Sequence, residues 1–423
     1  MSDPRPSRFL PVYDDIEARE RLLRAAWERL DPALRRPNQV LGRRSTIGCV
    51  ALEITQRCNL DCTLCYLSES AESVKDLPMD VLFHRIDRIR ETYGPGVGVQ
   101  VTGGDPTLRP REELVSVVRR ISERGLRPSL MTNGIRASRE LLAELAAAGL
   151  FDVAFHVDTT QRFKKYASEK ALNTIRREYI ERVRGLGLAV IFNTTIHAGN
   201  LAEVPMLARF FLANSEVVGM ASFQVQAATG RGEWREKAPH VTADAIAEGI
   251  RQGVGLPRLS WDTALVGHPA CNRGVMLATA GDRAVDVLTS RRLYERFLQE
   301  FRHVPFDRRD VPAAARRVIG AALRNPYWLL RGTVFLAKKV WALRMPLLRR
   351  RPVGKITFFV HNFMDAAALD EERIRNCSFM VMTEDGPVSM CAHNARRDDY
   401  ILKPAAVGPA SGRRFDPLTG RIV

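Results

Sequence analysis

Val50-Ala-Leu-Glu-Ile-Thr55-Gln-Arg-Cys58-Asn-Leu-Asp-Cys62-Thr-Leu-Cys65 joins a short apolar stretch to three cysteines within eight residues. The stretch has the length and β-branched content of a buried strand. The C-x3-C-x2-C spacing lets three thiolates from one loop close on one inorganic centre. Thiolate sulfur is the preferred ligand of iron–sulfur clusters, which normally take four cysteines. Here the loop offers three, so a cubane would keep one iron open to a cofactor or substrate. Zinc is the competing reading, but a zinc knuckle pairs C-x2-C units and closes with a fourth Cys or His. The closest histidine in sequence is His84. A disulfide fits poorly, because the chain has an odd seven cysteines and no secretory signature at its start.

Downstream of this loop the sequence keeps a regular beat. Strands are predicted over 49–54, 98–102, 128–132, 152–157, 188–195 and 220–227, with helices over 78–93, 110–124, 137–148, 170–186 and 200–213. Short apolar strands alternating with amphipathic helices imply parallel strands joined by crossovers. The expected fold is α/β, a partial (β/α)6 barrel of the TIM type, whose functional residues gather at the carboxyl ends of the strands. The second strand ends in Gly103-Gly104-Asp105, two glycines that let backbone approach a ligand closely. Polar residues end the next three strands: Asn133 in Met131-Thr-Asn-Gly134, Asp158 in His156-Val-Asp-Thr159, and Asn193 in Phe192-Asn-Thr-Thr195. Asn133-Gly134 also reads as a plain turn, and His156 is a secondary candidate whose direction the alternation leaves open. The sixth strand runs into Gly230-Arg-Gly232.

The cysteine spacing, its place after the first strand and the Gly-Gly-Asp segment resemble the radical S-adenosylmethionine (SAM) superfamily. That resemblance implies a 4Fe–4S cluster on Cys58, Cys62 and Cys65, with its open iron chelated by the methionine moiety of SAM. It further implies reductive cleavage to a 5′-deoxyadenosyl radical that abstracts hydrogen, and a reducing partner such as flavodoxin or ferredoxin. Gly103, Gly104 and Asp105 then match the segment that binds the cofactor's amino group, with Asp105 where the family has Glu. Asn133, Asp158 and Asn193 become further cofactor contacts.

Three more cysteines follow the barrel. Cys377 and Cys391 flank Thr383-Glu-Asp-Gly386, a hairpin turn that brings them near each other, and Cys271 joins them only through tertiary structure. They read equally as buried thiols or as ligands of a second, auxiliary 4Fe–4S cluster, its fourth position open or taken by His268, His393 or another group. Cys49, at the start of the first strand, reads as core. The segments Val360-His-Asn-Phe-Met-Asp365, Asp370-Glu-Glu-Arg373, Asn376-Cys377, Asp385-Gly386 and Cys391-Ala-His-Asn394 resemble the tetraether lipid synthase group. Members of that group join hydrocarbon chains at unactivated carbons and carry auxiliary clusters. This chain lacks the extended cysteine-bearing N-terminal region found there.

Composition bounds the rest. A 423-residue chain with 45% hydrophobic and 26% charged residues is that of an ordinary globular protein. Three parts are expected: a helical extension (1–45, with a helix over 14–30), the barrel (46–235) and a C-terminal domain (236–423). No apolar run reaches spanning length, so the expected location is cytoplasmic. The net charge is +16, and residues 291–351 hold sixteen Lys/Arg against four Asp/Glu. Within the basic amphipathic helices expected over 290–351, Leu330, Val334, Ala337, Trp341 and Leu348 share a face, with Arg331, Lys338 and Lys339 off it. Such a helix suits the headgroup region of an anionic membrane, and an ordinary surface helix is the alternative. Nucleic acid fits less well, because a phosphate-tracking surface would be more polar. A lipid substrate and peripheral contact with the inner membrane face follow as expectations, the alternative being a radical enzyme that acts on a soluble metabolite, peptide or RNA, with the basic segment only structural.

Overall fold

The computed structural model describes residues 15–163, 165–234, 240–281, 283–302, 304, 311–408 and 412–423. Asp14, the expected start of the first helix, residue 235 at the expected domain boundary, and residues 303 and 305–310 of the basic segment lie outside the described residues.

Six strands and their crossover helices alternate through the first half: β1 (Cys49–Thr55), α2 (Met79–Tyr93), β2 (Gly98–Gly103), α3 (Arg111–Glu123), β3 (Arg127–Thr132), α4 (Arg139–Ala147), β4 (Asp152–His156), α5 (Glu169–Val183), β5 (Ala189–Ile196), α6 (Val204–Ala213) and β6 (Val218–Val225). A helix α1 (Ile16–Arg29) precedes them. Every residue of β1 is buried, as befits a parallel strand covered on both faces, whereas β2 and β3 alternate between buried and half-buried positions. The helices cover the sheet through apolar faces at helical spacing, such as Leu82, Ile86 and Ile89 of α2. Ser138 and Ser168 start α4 and α5 by accepting from the N–H of Leu141 and Ala171.

Further elements are α7 (Ala243–Val254), β7 (Asn272–Ala280), β8 (Arg283–Asp286), α8 (Arg291–Glu300), α9 (Val311–Leu323), α10 (Thr333–Ala342), α11 (Arg344–Leu348), β9 (Val353–Asn362), α12 (Glu371–Arg375), β10 (Phe379–Thr383), β11 (Gly386–Ser389), α13 (Met390–Ala395) and α14 (Asp398–Ile401). The sheet continues past residue 235, with strand order β11-β10-β1-β2-β3-β4-β5-β6-β9-β7-β8. Strands β10 and β9 pair in parallel with β1 and β6, and β7, β8 and β11 add antiparallel edges. The eight parallel strands therefore point their carboxyl ends the same way. The flanks β9 and β10 approach through side chains, with the rings of Phe359 and Phe379 6.3 Å apart and those of His361 and Phe379 4.8 Å apart.

The N-terminal segment is tied to the C-terminal loops. The Asp31 N–H donates to Asn376 Oδ1 (2.8 Å), the Gln39 amide to the Gly267 carbonyl (2.9 Å), and the Gly48 N–H to the Ser378 carbonyl (2.9 Å). No helix among the described residues is long and apolar enough to cross a membrane.

Candidate active site

At the carboxyl ends of the parallel strands lies a cavity of about 250 Å³. Cys58, Cys62 and Cys65 line one wall, and Gly103, Gly104, Asp105, Asn133 and Asn193 from successive strand ends also face it. Asp158 does not line it, but His156 does.

The cysteine loop is held from several sides. The Gly104 N–H donates to the Thr55 carbonyl (2.9 Å) and the Asp105 N–H to the Arg57 carbonyl (2.8 Å). A Cβ on Gly103 would lie 1.9 Å from the Thr55 carbonyl oxygen, and one on Gly104 would lie 2.0 Å from that of Arg57. Glycine is required here so that the end of β2 can lie against the start of the cysteine loop. Tyr66, next to Cys65, donates its hydroxyl to the Gly103 carbonyl (2.6 Å). The Thr63 N–H donates to the Thr160 carbonyl (2.9 Å), and the Gly232 and Arg231 N–H groups donate to the carbonyls of Cys65 (3.1 Å) and Leu67 (2.8 Å). Asn133 donates to Asn59 Oδ1 (2.7 Å). The ends of β2, β3, β4 and β6 thus jointly fix one loop.

Two strand-end carboxylates are engaged by the framework. Asp105, 1% exposed, accepts from the N–H and hydroxyl of Thr107 (2.9 and 2.5 Å), the Thr132 hydroxyl (2.9 Å) and the Asn133 N–H (2.8 Å). Asp158, fully buried, accepts from the Thr160 N–H (2.9 Å), the Thr160 hydroxyl (2.5 Å) and the Thr195 N–H (2.7 Å), and pairs with His156 Nε2 at 2.8 Å. Burial works against its charge, but His156 and these donors prevail and hold its carboxyl well below the usual range. Burial likewise pulls the His156 pKa down, and the Asp158 carboxylate outweighs it, leaving the imidazole pKa raised. Asn193, by contrast, has no side-chain hydrogen bond to other described residues, and its amide faces the cavity.

Burial raises the pKa of all three loop thiols. For Cys65 the cations Arg231 and Arg397 push the other way. Arg397 comes from the tail between α13 and α14, and its guanidinium lies 4.8 Å from the Tyr66 ring centroid. It also pairs with Glu53 and donates to Gln56 Oε1 (3.1 Å). Nothing local in the sequence marks Arg397 or Glu53 as parts of the site, and Tyr66, which the sequence reading also missed, carries only its place beside Cys65 as a signal. Among the described residues no group of three Cys, His, Asp or Glu side chains is gathered around a single metal ion. Free thiols sharing a cavity wall suit a centre of several metal atoms, where each thiolate binds a different one. The donor set fits an iron–sulfur cluster.

The same cavity is also lined by the apolar side chains of Phe363, Met364, Phe379 and Met390. His361 lies among them, stacked on Phe363 (5.4 Å) and linked to Asn272 at 3.0 Å. Burial drives its pKa down to about 3, so the ring is neutral. Cys391 reaches the same cavity. Cys271 and Cys377 do not line it, yet each lies within electrostatic range of Cys391 and of the other. The Arg373 Nε–H donates to Cys271 Sγ (3.2 Å). His268 Nε2 faces Glu372 at 3.6 Å, and buried His393 stacks on Tyr400 with Nε2 3.9 Å from Glu53. Neither histidine is engaged with a thiol. Cys49 is buried in the core.

Residues 52–211 match the family model described as "Radical SAM superfamily". Curated relatives include a 7,8-dihydro-6-hydroxymethylpterin dimethyltransferase of Methanocaldococcus jannaschii, 28% identical over 44% of this chain and 38% of its own. A PqqA peptide cyclase of Bradyrhizobium diazoefficiens is 32% identical over 37% of this chain and 41% of its own. This chain thus spans about two fifths of the length of these relatives. Among solved structures, Streptococcus suis SuiB bound to S-adenosylmethionine aligns with TM-score 0.38 and 14% identity, over 49% of this chain and 45% of its own. That likeness is too loose to bear on function. The cysteine loop and the strand ends β2 to β5 all lie inside the matched segment, so the similarity of residues 52–211 to the radical SAM superfamily includes the residues that form this site.

Proposed function

We propose that the chain is a radical SAM enzyme that takes hydrogen from an unactivated sp3 carbon of a lipid-type substrate, leading to carbon–carbon bond formation or a related modification. The observation that carries this reading is one cavity lined both by the three loop thiols and by Phe363, Met364, Phe379 and Met390. Cys58, Cys62 and Cys65 would hold a 4Fe–4S cluster. Gly103, Gly104, Asp105, Asn133, Asp158 and Asn193 would form or support the seat for S-adenosylmethionine. When bound, the reduced cluster and S-adenosylmethionine supply one-electron cleavage of the sulfonium and a carbon radical able to remove a hydrogen that no His or Glu base can. A flavodoxin or ferredoxin would provide the electron.

The chain's own residues have separate tasks. Asn193 offers an uncommitted amide to a ligand. His156, whose pKa the Asp158 carboxylate raises, presents its imidazole to the cavity. Asp105 and Asp158 lock the strand ends, and the aromatic wall with neutral His361 keeps water from an aliphatic chain. Cys271, Cys377 and Cys391 fit an auxiliary 4Fe–4S cluster, supported by their mutual proximity and by the Arg373 donor at Cys271. The partial (β/α)6 barrel over 46–235, flanked by an extension (1–45) and a C-terminal domain (236–423), belongs to the same reading.

The basic segment supports contact with the inner membrane face. Leu330, Leu336, Trp341 and Leu348 are 66, 62, 67 and 77% exposed, with Arg331, Lys338 and Arg344 exposed among them. Apolar side chains rimmed by cations suit an anionic headgroup layer better than nucleic acid.

A second reading, a soluble peptide or cofactor substrate, is favoured by the names of the relatives. Anaerobic reconstitution with iron, sulfide and dithionite tests the chemistry. The expected results are 5′-deoxyadenosine from the wild type, none from Cys62→Ala, and fewer irons per chain in Cys377→Ala/Cys391→Ala. Co-sedimentation with phosphatidylglycerol vesicles tests the surface. Absence of binding, or equal binding by Lys338→Glu/Trp341→Ala, favours the soluble substrate.

A further inference from the structure

Glu53 also lines a second, smaller cavity of about 30 Å³, between β1, α2 and the tail. Arg85 of α2, His393 of α13, Tyr400 of α14, Lys75 and Lys403 share that wall. Arg85 is 8% exposed, and its Nε has no hydrogen-bond partner. No ion pair or side-chain hydrogen bond among the described residues engages the rest of its guanidinium. His393 Nδ1 is likewise buried without a partner.

Two carboxylates lie within electrostatic range of Arg85, namely Glu384 and Glu53, and both are engaged elsewhere. Glu53 binds Arg397 and accepts from Gln56 (2.9 Å). Glu384 Oε1 accepts from the Ala406 N–H (3.0 Å) and from Arg414 (3.4 Å). A buried guanidinium does not lose its proton in practice, and an uncompensated buried charge is costly. Its planar fork of donors matches a carboxylate or phosphate. On the same measure a water needs only about 10–15 Å³, so the cavity has room for a small oxyanion but not for a nucleotide.

We propose that this cavity is a binding site for a small oxyanion, a carboxylate or phosphate group, received by Arg85 with Lys75 and the Tyr400 hydroxyl around it, while Lys403 is held by Asp385. The site shares Glu53 with the network of Arg397 and Tyr66 that supports the cysteine loop. Its occupation therefore bears on how firmly that loop is held. The inference needs no cluster and stands apart from the proposed reaction.

The test is thermal unfolding of the full chain without iron, titrated with sodium phosphate or sodium acetate at constant ionic strength against sodium chloride. Either oxyanion should raise the Tm saturably above the chloride control. Which of the two does so tells phosphate from carboxylate. Arg85→Gln should weaken the apparent affinity about tenfold or more, the loss of a charge-assisted hydrogen bond. The exposed Lys75→Gln should weaken it too while leaving the anion-free Tm unchanged, which keeps the test decisive if Arg85→Gln does not fold. No rise above chloride, or equal rises in the wild type and in both variants, overturns the proposal.

Discussion

Replacing Asp105 with alanine separates a framework role from ligand contact. The carboxylate is 1% exposed and accepts four hydrogen bonds, two from hydroxyls and two from backbone N–H groups. The hydroxyls of Thr107 and Thr132 can rotate toward other acceptors. The N–H groups of Thr107 and Asn133 cannot move without unwinding the 3-10 turn after β2 and the end of β3. Each buried donor left unpaired costs about 1–3 kcal/mol, so Asp105→Ala should destabilise the chain by about 2–6 kcal/mol. That is a large share of the roughly 5–15 kcal/mol that holds a typical domain. Asp105→Asn keeps one accepting oxygen and should lose less. Urea unfolding followed by circular dichroism measures the shift, and equilibrium dialysis with S-adenosylmethionine on anaerobically reconstituted protein measures the ligand. Affinity should fall only with the folded fraction. If Asp105→Ala unfolds at the wild-type urea concentration yet no longer binds the ligand, the carboxylate contacts the ligand and the framework account is wrong.

Gly104→Ala would drive a Cβ to 2.0 Å from the Arg57 carbonyl oxygen; the displaced loop should bind less than the full iron complement on reconstitution, read by iron and sulfide assay. Tyr66→Phe removes the hydroxyl bond to Gly103 and should cost about 1 kcal/mol in urea unfolding. Arg397→Met leaves Glu53 as a buried unpaired charge and should cost about 3–5 kcal/mol at neutral pH. Burial opposes the Glu53 charge and Arg397 outweighs it, so the carboxyl pKa is lowered. The pair's stabilisation is present above the unfolded value and is lost as pH falls through the depressed folded one, so acid unfolding curves of the variant and wild type should converge. His156 has the opposite sign, with a folded pKa raised above 6.5. Its contribution is complete below that value and disappears as pH rises through the folded pKa. The stability gap between wild type and His156→Gln should therefore narrow toward alkaline pH.

Much of the sheet was legible because parallel strands and their covering helices carry their own periodicity. The predicted 98–102 and 128–132 became Gly98–Gly103 and Arg127–Thr132. The helix expected from 200 begins at Val204, because Leu201–Glu203 form a 3-10 turn and Pro205 occupies the first helical turn. The predicted hairpin appears as β10 and β11, with Thr383 opposite Gly386. Strands β9 and β10 as flanks of the parallel block were not legible, since their partners β6 and β1 lie far away in the chain. Likewise, alternation could not orient His156, because its direction depends on Asp158 and on which side the cavity opens.

The sequence by itself determined the cysteine loop, the strand–helix beat and the glycines after β2, because each is written in local spacing and residue type. Tertiary structure decided what those residues do. Burial committed Asp105 and Asp158 to backbone donors and left Asn193 and His156 facing the cavity. Chain return brought Arg397 against the Tyr66 ring and set Cys271, Cys377 and Cys391, from distant parts of the chain, within electrostatic range of one another. The physical reason is that a carboxylate's or guanidinium's role is set by which partners reach it in a place without water, and in this fold most of those partners come from distant parts of the chain.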